Sequence, residues 1–178
     1  MMDKESKLIK KIKKGDQRAF KKLYDVYADY SLRTAYGITG NQADAADIVQ
    51  EVFIKLYRNI HLFDMKRPFK PWFYQLLVNE ARRYIGKKAK QAISVESEEL
   101  LDYLHTGAED EVDFEDLENA MDKLEENHRT VLILKYLNDF TEKEIAEILE
   151  LNLNTVKSRL YKARRKLKTL MGGVADEE

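Results

Sequence analysis

Glycine and proline, the two residues that most often interrupt helices, are scarce in this chain: its 178 residues include only 7 Gly and 2 Pro. Short runs of alternating apolar and polar residues are also few, and 35% of the residues are charged. Apolar side chains recur instead at intervals of three and four, which places them on one side of a helix. The sequence therefore predicts an all-α fold in which short polar turns join the helices.

The composition disfavours several kinds of chemistry. The chain contains no cysteine, which excludes disulfides, thiolate catalysis and zinc sites with Cys ligands. Its histidines, His61, His105 and His128, are too far apart in sequence to form a local metal-binding motif. We expect no catalytic residues, no metal and no cofactor.

The N-terminal segment MMDKESKLIKKIKKGD lacks the apolar run of a signal peptide. Elsewhere no segment approaches the roughly 18 consecutive apolar residues of a membrane span. These features predict a cytoplasmic protein that does not insert directly into a membrane.

The formal net charge of -1 hides two blocks of opposite charge. Residues 94–118 carry many carboxylates and neither Lys nor Arg, whereas residues 154–168 carry Lys and Arg and no carboxylate. Such blocks create separate local potentials, so the basic segment can bind a polyanion while the acidic segment stays away from it.

Turn and capping signals divide the chain into helices. Residues 39–41 (Thr-Gly-Asn) combine a helix stop with an N-cap and predict a helix from residue 42 to about 59. Pro68 and Pro71 mark a break before a helix from residue 72 to about 88. Apolar residues at helical spacing continue on both sides of the acidic segment, which separates two groups of helices.

Residues 141–144 (Thr-Glu-Lys-Glu) have the form of a capping box that opens a further helix. The sequence therefore predicts two small helical domains joined by an acidic linker, of which the second is a helix-turn-helix domain. The predicted bounds are 1–92 for the first domain, 93–112 for the linker, 113–171 for the second domain and 172–178 for a tail.

The basic segment near the C-terminus is amphipathic when drawn as a helix, with Val156, Leu160, Ala163 and Leu167 on one narrow face. A polar strip lies opposite and cations lie on its flanks, an arrangement that suits a helix seated in the major groove of DNA. The simpler alternative is a solvated basic helix. The predicted DNA contacts are Asn154, Thr155, Lys157, Ser158, Arg159, Tyr161, Lys162 and Arg165.

A second polar strip runs along the helix predicted to start at Trp72, and a loop of interleaved aromatic and cationic residues precedes it. Aromatic, amide and guanidinium groups together can stack on exposed bases and form hydrogen bonds with them. The alternative is that the aromatic side chains belong to the core and the arginines are merely exposed. The predicted nucleic-acid contacts are Phe63, Lys66, Arg67, Phe69, Trp72, Gln75, Asn79, Arg82 and Arg83.

The helix predicted from residue 42 has a third notable face, on the side away from its apolar stripe. An isoleucine, Ile54, lies there among Asp47, Gln50, Glu51 and Arg58. An exposed apolar residue among charges suits a protein interface. The alternatives are an ordinary solvated face and a metal or acid–base pair.

Three segments resemble motifs of one family, the extracytoplasmic-function (ECF) RNA polymerase sigma factors of the sigma-70 type. Residues 44–53 (DAADIVQEVF) resemble that family's polymerase-binding helix, and residues 72–79 (WFYQLLVN) resemble its W-L-Y-R-I-A-x-N helix. Residues 155–160 (TVKSRL) resemble its T-V-K-S-R segment. The three motifs occur in the family's order and span nearly the whole chain apart from the linker and tail.

The resemblance implies a subunit that directs core RNA polymerase to promoter DNA, without catalysis of its own. The first domain would dock on the polymerase clamp through Asp47, Gln50, Glu51, Phe53 and Ile54. It would capture the melted minus-10 element with the strip and loop described above, and the second domain would read the minus-35 element. The linker would follow the RNA exit path. An anti-sigma factor and a role in stress responses are further implied.

Four positions depart from the family pattern. Gln75 and Gly86 each stand where the family usually has Arg, and Arg83 stands where it usually has Asp. Asn154 replaces a Gly before the recognition helix, where we expect it to serve as the N-cap.

Two other functions compete with this interpretation. The first is a plain helix-turn-helix regulator that senses a ligand or dimerises through its N-terminal helices. The second is a metal-dependent helical hydrolase using Asp44, Asp47 and Glu51, whose thermal stability would rise on adding a divalent cation.

The first prediction concerns the acidic linker. Because its carboxylates have no cations nearby in sequence, limited proteolysis should cleave the chain between residues 94 and 112 and leave two folded halves, identified by mass spectrometry. Uniform resistance along the chain would contradict a two-domain organisation.

Overall fold

The computed structural model describes residues 4–93 and 112–172, with side chains described for 4–90 and 116–172. Regular secondary structure in this part of the chain is entirely helical, which confirms the all-α prediction. Residues 94–111 of the predicted linker and 173–178 of the predicted tail lie outside the described residues. The α-helices are α1 (Lys4–Ile12), α2 (Gln17–Thr39), α3 (Gln42–Asn59), α4 (Phe69–Ile93), α5 (Val112–Asp122), α6 (Glu126–Leu132), α7 (Glu142–Leu149) and α8 (Leu153–Leu170).

Polar side chains fix the starts of α2 and α3. Asp16 accepts a hydrogen bond from the backbone N–H of Ala19 at 3.0 Å, and Asn41 accepts one from that of Asp44 at 2.9 Å. Gly40 ends α2 in the left-handed conformation, with φ of 67°, which costs a glycine little. The predicted bounds of α3 are confirmed at both ends.

The prediction that α4 starts at Trp72 and ends near Lys88 was wrong, because the helix runs from Phe69 to Ile93. Pro71 lies inside its first turn rather than before it. A proline is tolerated there because the first backbone N–H groups of a helix have no partner within the helix. The extra turn moves the helix start into the loop that was predicted to contact bases.

The first domain consists of α1 to α4, with α2 packed along α3 and α4 packed on both. Its core includes a chain of aromatic rings in which Phe53 lies 5.4 Å from Phe73, and Phe73 lies 4.9 Å from Tyr27. Burial of each such ring contributes about 1.5–3 kcal/mol. This core fixes the positions of α3 and α4, which carry two of the three predicted surfaces.

The second domain contains a helix-turn-helix, as predicted. The capping box is confirmed: Thr141 Oγ1 accepts from the N–H of Glu144, and the Glu144 carboxylate accepts from the N–H of Thr141 at 2.8 Å. Glu150 then ends α7 in the left-handed conformation, with φ of 53° and ψ of 43°. Before the capping box, α6 continues into a π-helical turn, Ile133–Leu137, that faces the first domain.

The two domains pack directly on each other, which the sequence analysis did not predict. Tyr74 of α4 meets Phe140 edge to face with ring centres 5.0 Å apart, and burial raises the pKa of Tyr74 to about 12. The buried amide of Asn138 donates to the Thr34 hydroxyl at 3.0 Å across the same interface. Gly37 allows a close approach, since a Cβ there would lie 2.8 Å from the Ile133 side chain. The described domains are therefore closed against each other.

Candidate nucleic-acid interface

The apolar side of α8 is buried as predicted. Val156, Leu160 and Ala163 are fully buried in the second domain, and Leu167 is partly buried against it. Burial of this face fixes the rotation of the helix, so its opposite side must point outward. The predicted DNA contacts occupy that side and its flanks: Asn154, Lys157, Ser158, Tyr161, Lys162 and Arg165 are exposed, and Thr155 and Arg159 are half-buried.

The N-cap of α8 is Asn152, so the prediction that Asn154 caps this helix was wrong. The Asn152 side chain accepts from the N–H of Thr155 at 2.8 Å and from its hydroxyl at 2.9 Å. The left-handed Glu150 ends α7 early enough for the new helix to begin at Leu153. Asn154 therefore lies in the first turn of α8, where its exposed amide is free of a capping role.

Cations dominate the outward side of α8. The helix carries no Asp or Glu between its first residue and Leu170. The Arg165 guanidinium lies 5.8 Å from the ring centre of Tyr161, whose side chain is exposed. A rigid aromatic ring beside a guanidinium offers both stacking area and fixed positive charge to a nucleic acid.

The strip on α4 is real, but the domain interface covers part of it. Phe73, Leu77 and Ala81 are buried on the opposite side, as the helical spacing predicted. On the strip itself, Asn79 is exposed, whereas Trp72, Gln75 and Arg82 are half-buried, and Arg83 is exposed. Lys66 and Arg67 are exposed in the preceding loop.

Phe63 and Phe69 are core residues, each only 3% exposed, so the expectation that their rings rim a base-binding pocket does not hold in this conformation. Both rings pack against Trp72, with centres 4.7 Å and 5.7 Å from it. The periodicity could not reveal this, because Phe69 was assigned to a loop rather than to the first turn of α4. The rings instead hold the Trp72 indole at the surface.

Arg83 is fixed by Glu80, a carboxylate that is nearly buried on α4. Its Nε lies 3.1 Å from Glu80 Oε1, and Lys55 of α3 forms a second ion pair with the same group. Burial by itself would raise the pKa of Glu80, but the hydrogen bonds from Arg83 and Lys55 hold that pKa below its usual value. This triad orients Arg83 and joins α3 to α4.

The outward face of α3 borders an open apolar groove of about 900 Å³ between α2 and α3. Asp47, Gln50 and Ile54 are exposed and Glu51 is half-buried beside them. Phe53, by contrast, is only 5% exposed and forms part of the groove floor, so it is less accessible than the motif implied. The sequence analysis missed the aromatic walls from Tyr24 and Tyr57, because it considered α3 without its neighbour.

Asp44, one member of the proposed hydrolase site, is an ion-pair partner rather than a free ligand. It accepts from Lys88 Nζ at 2.7 Å and from the Tyr84 hydroxyl at 3.3 Å, which ties α3 to α4. Among residues 4–93 and 112–172, no group of three or more His, Cys, Asp or Glu side chains is placed to hold a metal ion. The same part of the chain has no helix long and apolar enough to span a bilayer.

Comparison with known proteins defines the class to which this fold and surface belong. Residues 23–91 match the family model of sigma-70 region 2, and residues 114–167 match that of sigma-70 region 4. The chain is 37% identical to the ECF RNA polymerase sigma factor SigW of Bacillus subtilis, over 91% of this chain and 94% of the relative. It is 32% identical to the ECF RNA polymerase sigma-E factor of Escherichia coli K12, over 88% of both chains.

Two solved structures share the fold. One contains CnrH with the cytosolic domain of CnrY, with a TM-score of 0.72, 23% identity, and coverage of 98% of this chain and 100% of that one. The other contains the sigma factor RpoE with the anti-sigma factor NepR from Bartonella quintana, with a TM-score of 0.70, 24% identity, and coverage of 89% and 98%. This protein is a two-domain sigma-70-type factor. It belongs to the extracytoplasmic-function sigma factors, which direct RNA polymerase to promoters.

The second prediction concerns Glu80. Because its folded-state pKa lies below that of the unfolded chain, the ionised group stabilises the fold at neutral pH, and this contribution is lost as the pH falls through about 4 and below. Glu80→Gln should lower the free energy of unfolding by on the order of 1 kcal/mol at pH 7.

Urea unfolding between pH 3 and 7 measures this effect, and the gap between the wild type and Glu80→Gln should shrink at acidic pH. Asp25→Asn is the matched control, since that carboxylate forms an exposed pair with Lys21. A gap that stays constant over the whole range would mean that the charge of Glu80 does not stabilise the fold.

Proposed function

We propose that the second domain recognises the minus-35 promoter element with the outward side of α8. The observation that carries this proposal is the one-sided burial of a helix whose other side is uniformly cationic. A helix of this kind can enter the major groove while its flanks meet the phosphates. The proposed contacts remain Asn154, Thr155, Lys157, Ser158, Arg159, Tyr161, Lys162 and Arg165.

Within this set, position on the helix separates two roles. Ser158 and Lys162 lie one turn apart on the strip opposite the buried Val156 and Leu160, so they are placed to reach base edges. Lys157 lies on a flank, where the phosphates of one strand would run. Base contacts discriminate between sequences, whereas phosphate contacts chiefly add affinity.

The first domain is proposed to bind the melted minus-10 element along the polar strip of α4 and the loop before it. Its exposed or half-buried groups include one indole, two amides and four cations, which suit the stacking and hydrogen bonding of unpaired bases. Phe63 and Phe69 act through Trp72, which they hold in place. The proposed contacts are Lys66, Arg67, Trp72, Gln75, Asn79, Arg82 and Arg83.

The outward face of α3 is proposed to dock on core RNA polymerase. Asp47, Gln50 and Glu51 offer charge and hydrogen-bonding groups, and Ile54, which is 36% exposed, offers apolar area beside the groove. Charged rims around an apolar centre are typical of protein interfaces that form rapidly and specifically. Phe53 supports this surface from below.

We further propose that the factor acts in the cytoplasm, has no catalytic chemistry of its own, responds to stress and is held inactive by an anti-sigma factor. The RpoE structure that contains an anti-sigma factor supports the last point by analogy of fold. The domain bounds of 1–92 and 113–171 follow the two matched regions closely.

The third prediction tests the polymerase surface. Reversing the charges of Asp47 and Glu51 to Lys should abolish association with core polymerase in a gel-filtration or pull-down assay. The melting temperature should hardly move, because exposed substitutions rarely change stability by more than about 0.5 kcal/mol. A control with Asp25 and Glu142 reversed changes the same charge outside this surface. Normal binding by the Asp47 and Glu51 variant would refute the assignment.

The fourth prediction separates base readout from charge on α8. Lys162→Ala should weaken binding of holoenzyme to a matched minus-35 duplex by about 1–3 kcal/mol and spare a scrambled duplex. Lys157→Ala should weaken both duplexes alike and make the salt dependence shallower by about one unit. Titrations at several salt concentrations provide the measurement. Equal losses for Lys162→Ala on both duplexes would reassign base readout to other residues of α8.

A further inference from the structure

The first turn of α6 binds two arginines that belong to different proposed DNA surfaces. Arg82 of the minus-10 strip donates from Nε to the Glu126 carboxylate at 2.9 Å and from Nη2 to the Asn127 amide oxygen at 3.3 Å. Arg159 of α8 donates to the same Asn127 oxygen, also at 3.3 Å. Two adjacent side chains thus hold one cation from each surface.

A second contact joins the same two surfaces. The Gln75 amide of the minus-10 strip donates to the Glu150 carboxylate, in the turn of the helix-turn-helix, at 2.9 Å. Glu147 of α7 lines a small cleft together with Arg67 and Trp72. The second domain therefore presents oxygen acceptors to the α4 strip, which is the chemistry that DNA phosphates and base edges would present.

This arrangement is incompatible with simultaneous binding of both promoter elements. The two elements lie about 25 base pairs apart by name, which is about 85 Å along B-form DNA at 3.4 Å per base pair. Arg82 and Arg159 are bound to one oxygen atom, so their surfaces are adjacent. The contacts at Glu126 and Asn127 must break before the two surfaces can reach their elements.

We propose that Glu126 and Asn127 form a latch that imitates DNA: it closes the two domains by occupying Arg82 and Arg159 and is displaced when promoter DNA binds them. The proposal rests on the DNA-binding function given above. It assigns a role to two residues of α6 that lie outside the proposed polymerase and DNA contacts.

The latch is built to be displaced. The Arg82 and Glu126 side chains are 28% and 32% exposed, so water and salt screen their attraction. Apolar contacts of Tyr74 with Phe140 and of Ile133 beside Gly37 add to closure. Removing the latch charge should therefore shift the ratio of closed to open molecules by about twofold to fivefold rather than abolish closure.

The test uses the full chain, which contains no native cysteine and so accepts two dyes cleanly. Lys22→Cys on α2 and Lys143→Cys on α7 are exposed labelling sites in different domains. Energy transfer between the dyes measures closure without DNA. Affinity for a random-sequence duplex of about 30 base pairs, measured at low salt, reports access to the cationic surfaces.

The informative variant is Glu126→Gln, which removes the charge but keeps a group able to accept from Thr130. Glu125→Gln is the matched control: it removes the same charge one residue earlier, where the contact is with Lys166 of the same domain. Glu126→Gln should reduce energy transfer and strengthen duplex binding by about twofold to fivefold more than Glu125→Gln does. Unchanged energy transfer in Glu126→Gln, or equal effects of the two substitutions on both readouts, would overturn the latch.

A second variant forces the domains apart without touching the latch. The side chain of Gly37→Leu must displace Ile133, whereas Gly86→Leu adds the same side chain to a helix where a Cβ meets nothing within 4 Å. Gly37→Leu should lower energy transfer strongly and Gly86→Leu should leave it high. If Gly37→Leu opens the protein and duplex binding does not improve, the competition with DNA is refuted. If opened variants and wild type all fail to bind any duplex, the proposed DNA-binding function fails, while the loss of energy transfer in Glu126→Gln still supports the latch as a closure device.

Discussion

The architecture depends on α4, because both domains use this helix for different purposes. Its buried side, which includes Phe73 and Leu77, completes the core of the first domain. Tyr74 lies between that core and Phe140 of the second domain, touching aromatic rings on both sides. The remaining side carries the polar strip. One helix therefore fixes the first domain, the closed arrangement and the proposed minus-10 surface, so these three features cannot vary independently.

Local rules predicted the parts of the fold that local interactions determine. The caps at Asn41 and Thr141 and the buried stripe of α8 all follow from residue spacing and hydrogen-bonding capacity within one helix. The errors arose where neighbouring signals competed. Asn152 and Asn154 are both good caps, and the left-handed Glu150 decided between them. Pro71 suggested a break, although a first helical turn accommodates it.

Contacts between domains were beyond prediction from periodicity. Thr34 and Asn138 form their buried hydrogen bond across more than a hundred positions of sequence, and neither residue carries a pattern that points to the other. Phe63, Phe69 and Phe53 illustrate the same limit. Each is an aromatic residue beside polar neighbours, and only the packing of other helices decides whether such a ring faces water or the core. The surfaces proposed for function were thus located correctly by helix and less reliably by side chain.

Charge connects the closed arrangement to DNA binding in a way that depends on salt. Both the latch and DNA attract the same cations, Arg82 and Arg159, and salt weakens both attractions. They are not weakened equally. A duplex that neutralises several phosphates releases several counterions, so its affinity falls as a high power of salt concentration. Closure rests partly on the Tyr74 and Phe140 contact, which does not depend on charge. Rising salt should therefore favour the closed form over the DNA-bound form, even though it loosens the latch.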